Sequence, residues 1–141
     1  MGSRFAPFTL AVSLTLGLAG AASATSPDWP AWAPLEEVEV LTSDEDGESR
    51  EHTIWIAVSE GTGYLRTSRR STWGDNLERD GQLRLRGAPG ELSLRAQLVT
   101  DAVEIERVTA AFEAKYGGFM SWFSGLIRGT PRIFRLSAPG P

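Results

Sequence analysis

The sequence predicts a mainly β protein, a six-stranded antiparallel barrel that carries two or three helices. Six short segments of about five residues alternate apolar and polar side chains, which is typical of strands buried on one face. Short turn-forming sequences join several of these segments, so hairpin-linked antiparallel pairing dominates. Closing six such strands into a barrel removes the exposed edges that an open sheet would leave.

The strands are placed by alternation and by the turns between them. The strongest is residues 52–58, HTIWIAV, in which every second residue from Ile54 lies on one apolar face. The pair Asp46-Gly47 marks the hairpin turn before it. The remaining strands are predicted at residues 38–42, 64–68, 82–86, 91–99 and 132–136.

A short helix is predicted over residues 72–79, between the third and fourth strands. Thr72 and Asp75 stand in a capping-box relation, and Asp80-Gly81 ends the helix. Trp73 and Leu77 lie four residues apart and therefore share a face, which indicates contact with the core. Asn76 is interpreted as a local cap or turn residue.

A longer helix is predicted after Asp101, which has Glu104 three residues on as a capping partner. Glu104 and Glu106 are interpreted as residues of the solvated helix surface, and Gly117-Gly118 ends the helix. The segment 119–127 follows, with aromatic residues at helical spacing. That segment is open to three interpretations: a core or dimer contact, a lid over a flat ligand, or a contact with a membrane surface.

Residues 1–24 have the form of a secretory signal peptide. Arg4 precedes the uncharged run 5–22, and Ala22-Ser23-Ala24 is a cleavage site of small residues. The expected mature chain is therefore exported, to the periplasm or outside the cell, and keeps no stable membrane span. It comprises an extended lead-in over residues 25–37, which packs by its indoles, and one barrel domain over residues 38–137.

Composition excludes several classes of site. The chain has no cysteine and a single histidine, so disulfides, a zinc site and covalently attached c-type haem are excluded, and no metal site is expected. His52 has no serine or cysteine pattern that would make it a catalytic base. Residues 61–141 carry twelve basic and eight acidic side chains, which suits an anionic ligand but is too mixed in sign for nucleic acid.

One stretch gathers positive charge after the third strand, GYLRTSRRSTWGDNL at residues 63–77. Arg66, Arg69 and Arg70 alternate there with hydroxyl side chains. Arginine offers a planar fork of donors to phosphate oxygens, and a following helix adds free amide groups. The stretch is interpreted either as an anion site, for a cofactor phosphate, or as a solvated loop that pairs with the acidic loop 44–51.

The order of motifs over residues 38–137 resembles the split-barrel flavin-binding superfamily of the pyridoxamine 5'-phosphate oxidase type. Within it, the sequence resembles the deazaflavin-dependent nitroreductase-like branch and its uncharacterised relatives. The resemblance rests on TIWIAV at 53–58, on Trp73, Asn76 and Leu77, and on three later motifs: RLRG at 84–87, RAQLVTD at 95–101 and AAFEAKYG at 110–117. It implies a six-stranded antiparallel split β-barrel.

The resemblance also implies a cofactor, FMN or a deazaflavin, with FMN favoured because it can be held tightly enough to survive export. The phosphate end would be bound by Arg66, Ser68, Arg69 and Arg70, with Thr53 and Ser71 contributing, and the ring would be bordered by Trp73 and Trp122. Such proteins commonly form homodimers with the cofactor at the interface. The cofactor would make the chain a small-molecule oxidoreductase, with no catalytic side chain identified.

A second function is left open at this point. A non-catalytic member of the same fold would bind a small anionic ligand or a protein partner outside the cytoplasm. The export signal and the short segment before residue 38 favour it, because a redox enzyme needs its reduced cofactor and a cover over it.

Overall fold

The computed structural model describes residues 26–117 and 131–140. Six antiparallel strands close into a barrel in the order β1-β2-β3-β6-β5-β4. The predicted fold class, mainly β with an antiparallel six-stranded barrel, is confirmed. The strands are β1 Glu37–Ser43, β2 Ser49–Ser59, β3 Thr62–Thr67, β4 Gln82–Gly87, β5 Gly90–Leu98 and β6 Arg132–Ser137.

Barrel closure depends on two long-range ladders. The last strand, β6, lies between β3 and β5, where Leu65 pairs with Phe134 and Phe134 with Leu98. On the other side β1 pairs with β4, and Val40 lies opposite Leu85. The inward-facing side chains of these strands are the most deeply buried in the protein, and they form the inner core.

The three helices are α1 Trp29–Trp32, α2 Thr72–Asp80 and α3 Ala102–Tyr116. Asp101 caps α3 as predicted and accepts a hydrogen bond from the backbone amide of Glu104 at 2.9 Å. The predicted cap of α2 is wrong by one residue. Ser71 has extended backbone angles and accepts from the amide of Gly74 at 2.9 Å, whereas Thr72 is already helical.

The lead-in is not extended throughout, as the sequence had suggested, but contains the single turn α1. Pro30 sits within its first turn, where a missing amide donor costs nothing. The expectation that the indoles pack is confirmed, because Trp29 and Trp32 are 3% and 2% exposed and join the inner core. Two glycines make room for them: a Cβ at Gly63 would lie 2.4 Å from the Trp29 ring, and one at Gly87 2.9 Å from the Trp32 ring.

A second core lies outside the barrel, between α3 and the outer faces of β2, β3 and β6. Val108 and Phe112 of α3 contact Ala57, Tyr64 and Ile133 there. The helix is therefore held by an apolar face that its sequence predicted, although only two of its residues are fully buried.

Ion pairs fasten the same helix at its beginning. Arg135 of β6 binds the carboxylate of Glu104 with both Nε, at 2.9 Å, and Nη2, at 2.8 Å. Tyr64 donates its hydroxyl to Glu104 at 3.3 Å and accepts from Nη2 of Arg107 at 2.9 Å. Glu104 is thus a partly buried barrel contact and not the solvated surface residue that the sequence suggested.

Asn76 links α2 to the end of β1. Its Nδ2 donates to Thr42 Oγ1 and to Asp44 Oδ1, both at 3.0 Å, and its Oδ1 accepts from Arg79. Asn76 is 3% exposed. The predicted local role is therefore wrong, because the amide of Asn76 donates to groups in and after β1, more than thirty residues away. A buried polar group needs hydrogen-bond partners, and these partners need not be close in sequence.

We expect Gly63→Ala to destabilise the fold by about 1–3 kcal/mol, because the new methyl group would overlap the indole of Trp29. Chemical denaturation followed by tryptophan fluorescence measures the loss. Gly140→Ala is the matched control, since a Cβ there meets nothing within 4 Å. Equal stability of the two variants would show that α1 does not rest on the barrel as described.

The stability of the protein should also depend on pH through Glu104. The hydrogen bond from Arg135 holds the pKa of Glu104 below its ordinary value of 4.5. A carboxylate with a depressed folded pKa stabilises the fold above its unfolded pKa, and that contribution is lost as the pH falls through the folded pKa. Glu104→Gln should therefore destabilise the protein at pH 7 and lose much of that effect at pH 3.

The control for this pH experiment is Glu106→Gln, which changes an exposed carboxylate on the same helix. Urea unfolding of both variants at the two pH values provides the comparison. A destabilisation by Glu104→Gln that is the same at pH 3 and pH 7 would contradict the ionic origin of the effect.

Candidate functional site

The loop between β3 and α2, residues 68–71, is held by one guanidinium group from β6. Arg132 donates from Nη2 to the carbonyl oxygens of Ser68, at 2.9 Å, and Ser71, at 3.0 Å. Its Nε donates to the Ser68 carbonyl at 3.2 Å. Three bonds to the backbone from one side chain fix the course of this short loop, which we call the β3–α2 loop.

The remaining donor capacity of Arg132 goes to α2. Its Nη1 binds Asp75 at 2.8 Å and Glu78 at 2.6 Å. The fit is close, since a Cβ at Gly74 would lie 2.6 Å from Nη2. Because the Arg132 side chain is only 10% exposed and all of its nitrogens are used, it positions the loop and does not itself offer a donor to a ligand.

The β3–α2 loop presents two exposed guanidinium groups. Arg69 and Arg70 are both exposed, and neither forms an ion pair with the described residues. The Ser68 hydroxyl lies 3.4 Å from the amide of Arg70, and the Ser71 hydroxyl caps α2. The loop therefore gathers two positive charges and two hydroxyl groups within four residues, at the beginning of a helix whose first amides have no earlier carbonyl to bind.

The alternative interpretation, pairing with the acidic loop, is not observed for these two arginines. The carboxylate of Asp44 is instead bound by Arg50 of the same hairpin and by Asn76. Arg79 of α2 donates to the carbonyl of Ser43. The carboxylate of Asp44 is thus bound by other partners, and Arg69 and Arg70 stay at the surface.

Arg66 lies on the outer face of β3 beside α3. Burial lowers the pKa of its guanidinium, and the charge of Glu113 on α3 opposes that effect. The register pairs Ile56 with Leu65, so Trp55 and Arg66 follow on the outer face of neighbouring strands. Trp55 is half-buried and stacks on Tyr116, with ring centroids 4.3 Å apart and planes at 9°. The stacked rings therefore lie at the end of the β2–β3 ladder, where Arg66 is two residues before the β3–α2 loop.

The end of α3 that carries Tyr116 is tied to the barrel backbone. The Tyr116 hydroxyl accepts from the amide of Ile56 at 3.2 Å and donates to the carbonyl of Glu36 at 2.6 Å. Lys115 donates to the carbonyl of Ile56 at 2.7 Å. Burial raises the pKa of Tyr116 and lowers the pKa of Lys115. At neutral pH the phenol is therefore protonated and bonded, which suits a support for Trp55 and not a proton donor.

The other predicted site residues lie elsewhere. Trp73 is 6% exposed in the inner core and packs on Phe134, with centroids 6.4 Å apart, so its core interpretation is the one observed. Thr53 lies on the outer face of β2 opposite Glu39, in an open groove of about 440 Å³ that also contains Arg86. Trp122 and the rest of the segment 119–127 lie outside the described residues.

Sequence reasoning did not identify Arg132, Trp55 or Tyr116 as parts of this region. Arg132 meets the loop across more than sixty residues of sequence, and no local pattern marks it. Trp55 belonged to a predicted strand, so its outward position was available from the alternation with Ile54 and Ile56.

The described residues contain no cluster of histidine, aspartate and glutamate suited to hold a metal ion. Among the helices of the same residues, none has the length and apolar character needed to cross a membrane. His52 is half-buried opposite Val40, and its Nδ1 has no hydrogen-bond partner among the described residues.

No protein-family model matches the chain, and no curated protein matches it. Solved structures do. A conserved hypothetical protein, Rv2991 from Mycobacterium tuberculosis, is 18% identical with a TM-score of 0.58, over 76% of this chain and 75% of that one. An F420-H2-dependent reductase, FDR-A, is 13% identical with a TM-score of 0.58, over 72% and 93%. HutZ, the haem storage protein from Vibrio cholerae, is 14% identical with a TM-score of 0.57, over 75% and 83%.

We expect Arg132→Met to lower the free energy of unfolding by about 1–3 kcal/mol, because the carbonyls of Ser68 and Ser71 lose their donor. Amide hydrogen exchange in residues 68–75 should accelerate as well. The control is Arg84→Met, which removes an arginine that is 50% exposed and should cost less than about 1 kcal/mol. If the two variants lose equal stability, Arg132 does not hold the loop as its contacts indicate.

Proposed function

We propose, from the premise that this chain has the split-barrel fold of the pyridoxamine 5'-phosphate oxidase type, that it binds a flavin or a deazaflavin. Proteins of this fold include a reductase dependent on F420-H2, an FAD-binding protein and a haem storage protein. The fold alone therefore does not select one ligand, and the proposal rests on the side chains of the β3–α2 loop.

The observation that carries the proposal is the pair of exposed guanidinium groups on a loop that another arginine holds in place. Arg69 and Arg70 lie between Ser68 and Ser71, whose carbonyls are bound by Arg132, so a ligand meets a loop that is already held in place. A phosphate monoester fits that loop, because arginine forks and hydroxyl groups supply short charge-assisted bonds to its oxygens. Preorganisation lowers the entropy cost of binding.

In this proposal Ser68, Arg69 and Arg70 bind the phosphate, with Arg66 and Ser71 next to them. Trp73 belongs to the core and does not contact the ligand in this proposal. Trp55, which stacks on Tyr116, borders the flavin ring instead. Thr53 lies two residues from Trp55 on the same outer face of β2 and contributes at the far end of the ligand. Trp122 keeps its proposed place as a second ring border.

The cofactor would supply hydride transfer to a small molecule, and the chain would supply binding, orientation and shielding from water. FMN is preferred to a deazaflavin because the proposed location, periplasmic or extracellular after removal of the signal peptide 1–24, requires a tightly held group. A homodimer with the cofactor at its interface completes the proposal, since Arg69 and Arg70 are exposed on the surface of one chain.

A second candidate function is a non-catalytic binding module for a small anionic ligand or a protein partner. Two observations favour it. One protein of similar fold is named as a haem storage protein and not as an enzyme. The phenol of Tyr116 is bonded to backbone groups and so is not placed to deliver a proton.

The first test is an absorption spectrum of the purified protein, before and after mixing with FMN and gel filtration. A flavin band that elutes with the protein supports the first function and justifies a reductase assay. A colourless protein that retains neither FMN nor F420 contradicts cofactor binding and supports the non-catalytic module.

The phosphate assignment is tested by the double variant Arg69→Ala and Arg70→Ala. Each charge-assisted bond contributes about 1.5–3 kcal/mol, so affinity for FMN should fall by about tenfold or more. Quenching of flavin fluorescence provides the titration. Riboflavin, which has the ring and no phosphate, is the internal control, and its affinity should be unchanged.

Arg84→Ala is a matched variant for that titration, because Arg84 is an exposed arginine that belongs neither to the loop nor to the groove of Thr53. It should leave FMN affinity unchanged. If the double variant binds FMN within about twofold of the original protein, the loop does not hold the phosphate.

A further inference from the structure

A second cavity, of about 490 Å³, lies on the outer face of β1, β4 and β5. The C-terminal residues Pro139 and Gly140 border it on one side. None of its lining residues belongs to the β3–α2 loop or to the Trp55 surface. Its volume is within the range of about 300–1,000 Å³ that is usual for small-molecule sites.

Two arginines meet on this face. The β4–β5 register places Arg84 opposite Ser93 and Gln82 opposite Arg95, so Arg84 and Arg95 are diagonal neighbours. Diagonal neighbours on one face are about 7–8 Å apart, which is within reach of long side chains. Both side chains therefore add positive charge to the same face of the sheet, and negative charge is needed to offset it.

Of these two arginines, only Arg84 has a carboxylate partner among the described residues. Arg84 donates from Nη1 to Glu91 at 2.9 Å. Arg86, the next outward-facing arginine of β4, has Glu39, Glu51 and Glu91 within 3.8 Å. Arg95 is exposed and has no carboxylate partner within residues 26–117 and 131–140. The cavity therefore contains a positive charge that the described part of the protein does not neutralise.

The rest of the lining is uncharged and rich in hydrogen-bonding groups. Hydroxyl and amide side chains lie beside the two arginines on this outer face: Ser43, Ser49, Gln82 and Ser93. Leu41, although it faces outward, is 8% exposed and supplies an apolar floor. Such a lining suits a ligand with hydroxyl groups of its own next to an anionic end.

We propose that this cavity binds a small hydroxylated oxyanion, a compound whose carboxylate or phosphate group meets Arg95 while its hydroxyl groups meet the serines and Gln82. Arginine forks match both kinds of oxyanion, so the shared chemistry defines the ligand. The site lies outside the proposed flavin site and requires none of that site's residues.

The experiment is a titration of the ¹⁵N-labelled full chain, followed by amide chemical shifts. The probes are sn-glycerol 3-phosphate and glycerate, which carry the two oxyanions on one skeleton, and glycerol as the neutral control. We expect saturable shifts of Ser43, Ser49 and Ser93 with one or both anions and none with glycerol. The anion that binds more tightly shows whether the site takes a phosphate or a carboxylate group.

Arg95→Gln should weaken that binding by about tenfold or more, because it removes the charge and keeps a polar side chain. Arg70→Gln makes the same change of net charge in the β3–α2 loop, and it should leave anion binding at the cavity unchanged. An FMN titration of the same two variants should give the opposite pattern, so failure at one site is distinguishable from failure at the other.

Three results would overturn the proposal: no saturable shift with either anion, binding that survives Arg95→Gln, or equal binding of glycerol. The amide spectrum of Arg95→Gln in the absence of ligand shows whether that variant is folded. Arg95→Lys, which keeps the charge and loses the fork, should retain partial affinity and provides a second measurement.

Discussion

The position of β6 between β3 and β5 is the constraint on which the rest of the structure depends. The strand completes the barrel, and its two arginines contact different elements of the fold. Arg132 fixes the β3–α2 loop and the beginning of α2. Arg135 fastens the beginning of α3 through Glu104. One short strand thus joins the inner core, both longer helices and the candidate ligand loop.

Local patterns were sufficient to predict most elements. Strand alternation, the turn at Asp46-Gly47 and the cap at Asp101 each act within a few residues, so they are visible in the sequence. The cap of α2 was displaced by one because Ser71 and Thr72 both carry hydroxyl groups, and only backbone geometry separates them. The turn α1 was missed because it depends on burial of its two indoles, which is a tertiary effect.

The candidate site was predicted in part for the same reason. A run of arginines in one loop is a local feature, and the structure keeps Arg69 and Arg70 together. From the sequence, Trp73 could be either a core residue or a ligand contact. The face of a short helix that carries it is buried only if that face packs against the barrel, as the contact with Phe134 shows. Arg132, Glu104 and Asn76 acquire their roles from partners that are thirty or more residues away.

The two buried tryptophans before β1 have a consequence for any shortened form of the protein. A chain that began at residue 37 would keep every strand, yet it would leave uncovered the glycine surfaces at Gly63 and Gly87 against which the indoles rest. Proteolytic removal of residues beyond Asp28 would therefore expose the apolar surface that the two indoles cover, and this would favour aggregation. The boundary of a functional domain is accordingly set by Trp29, eight residues before the first strand.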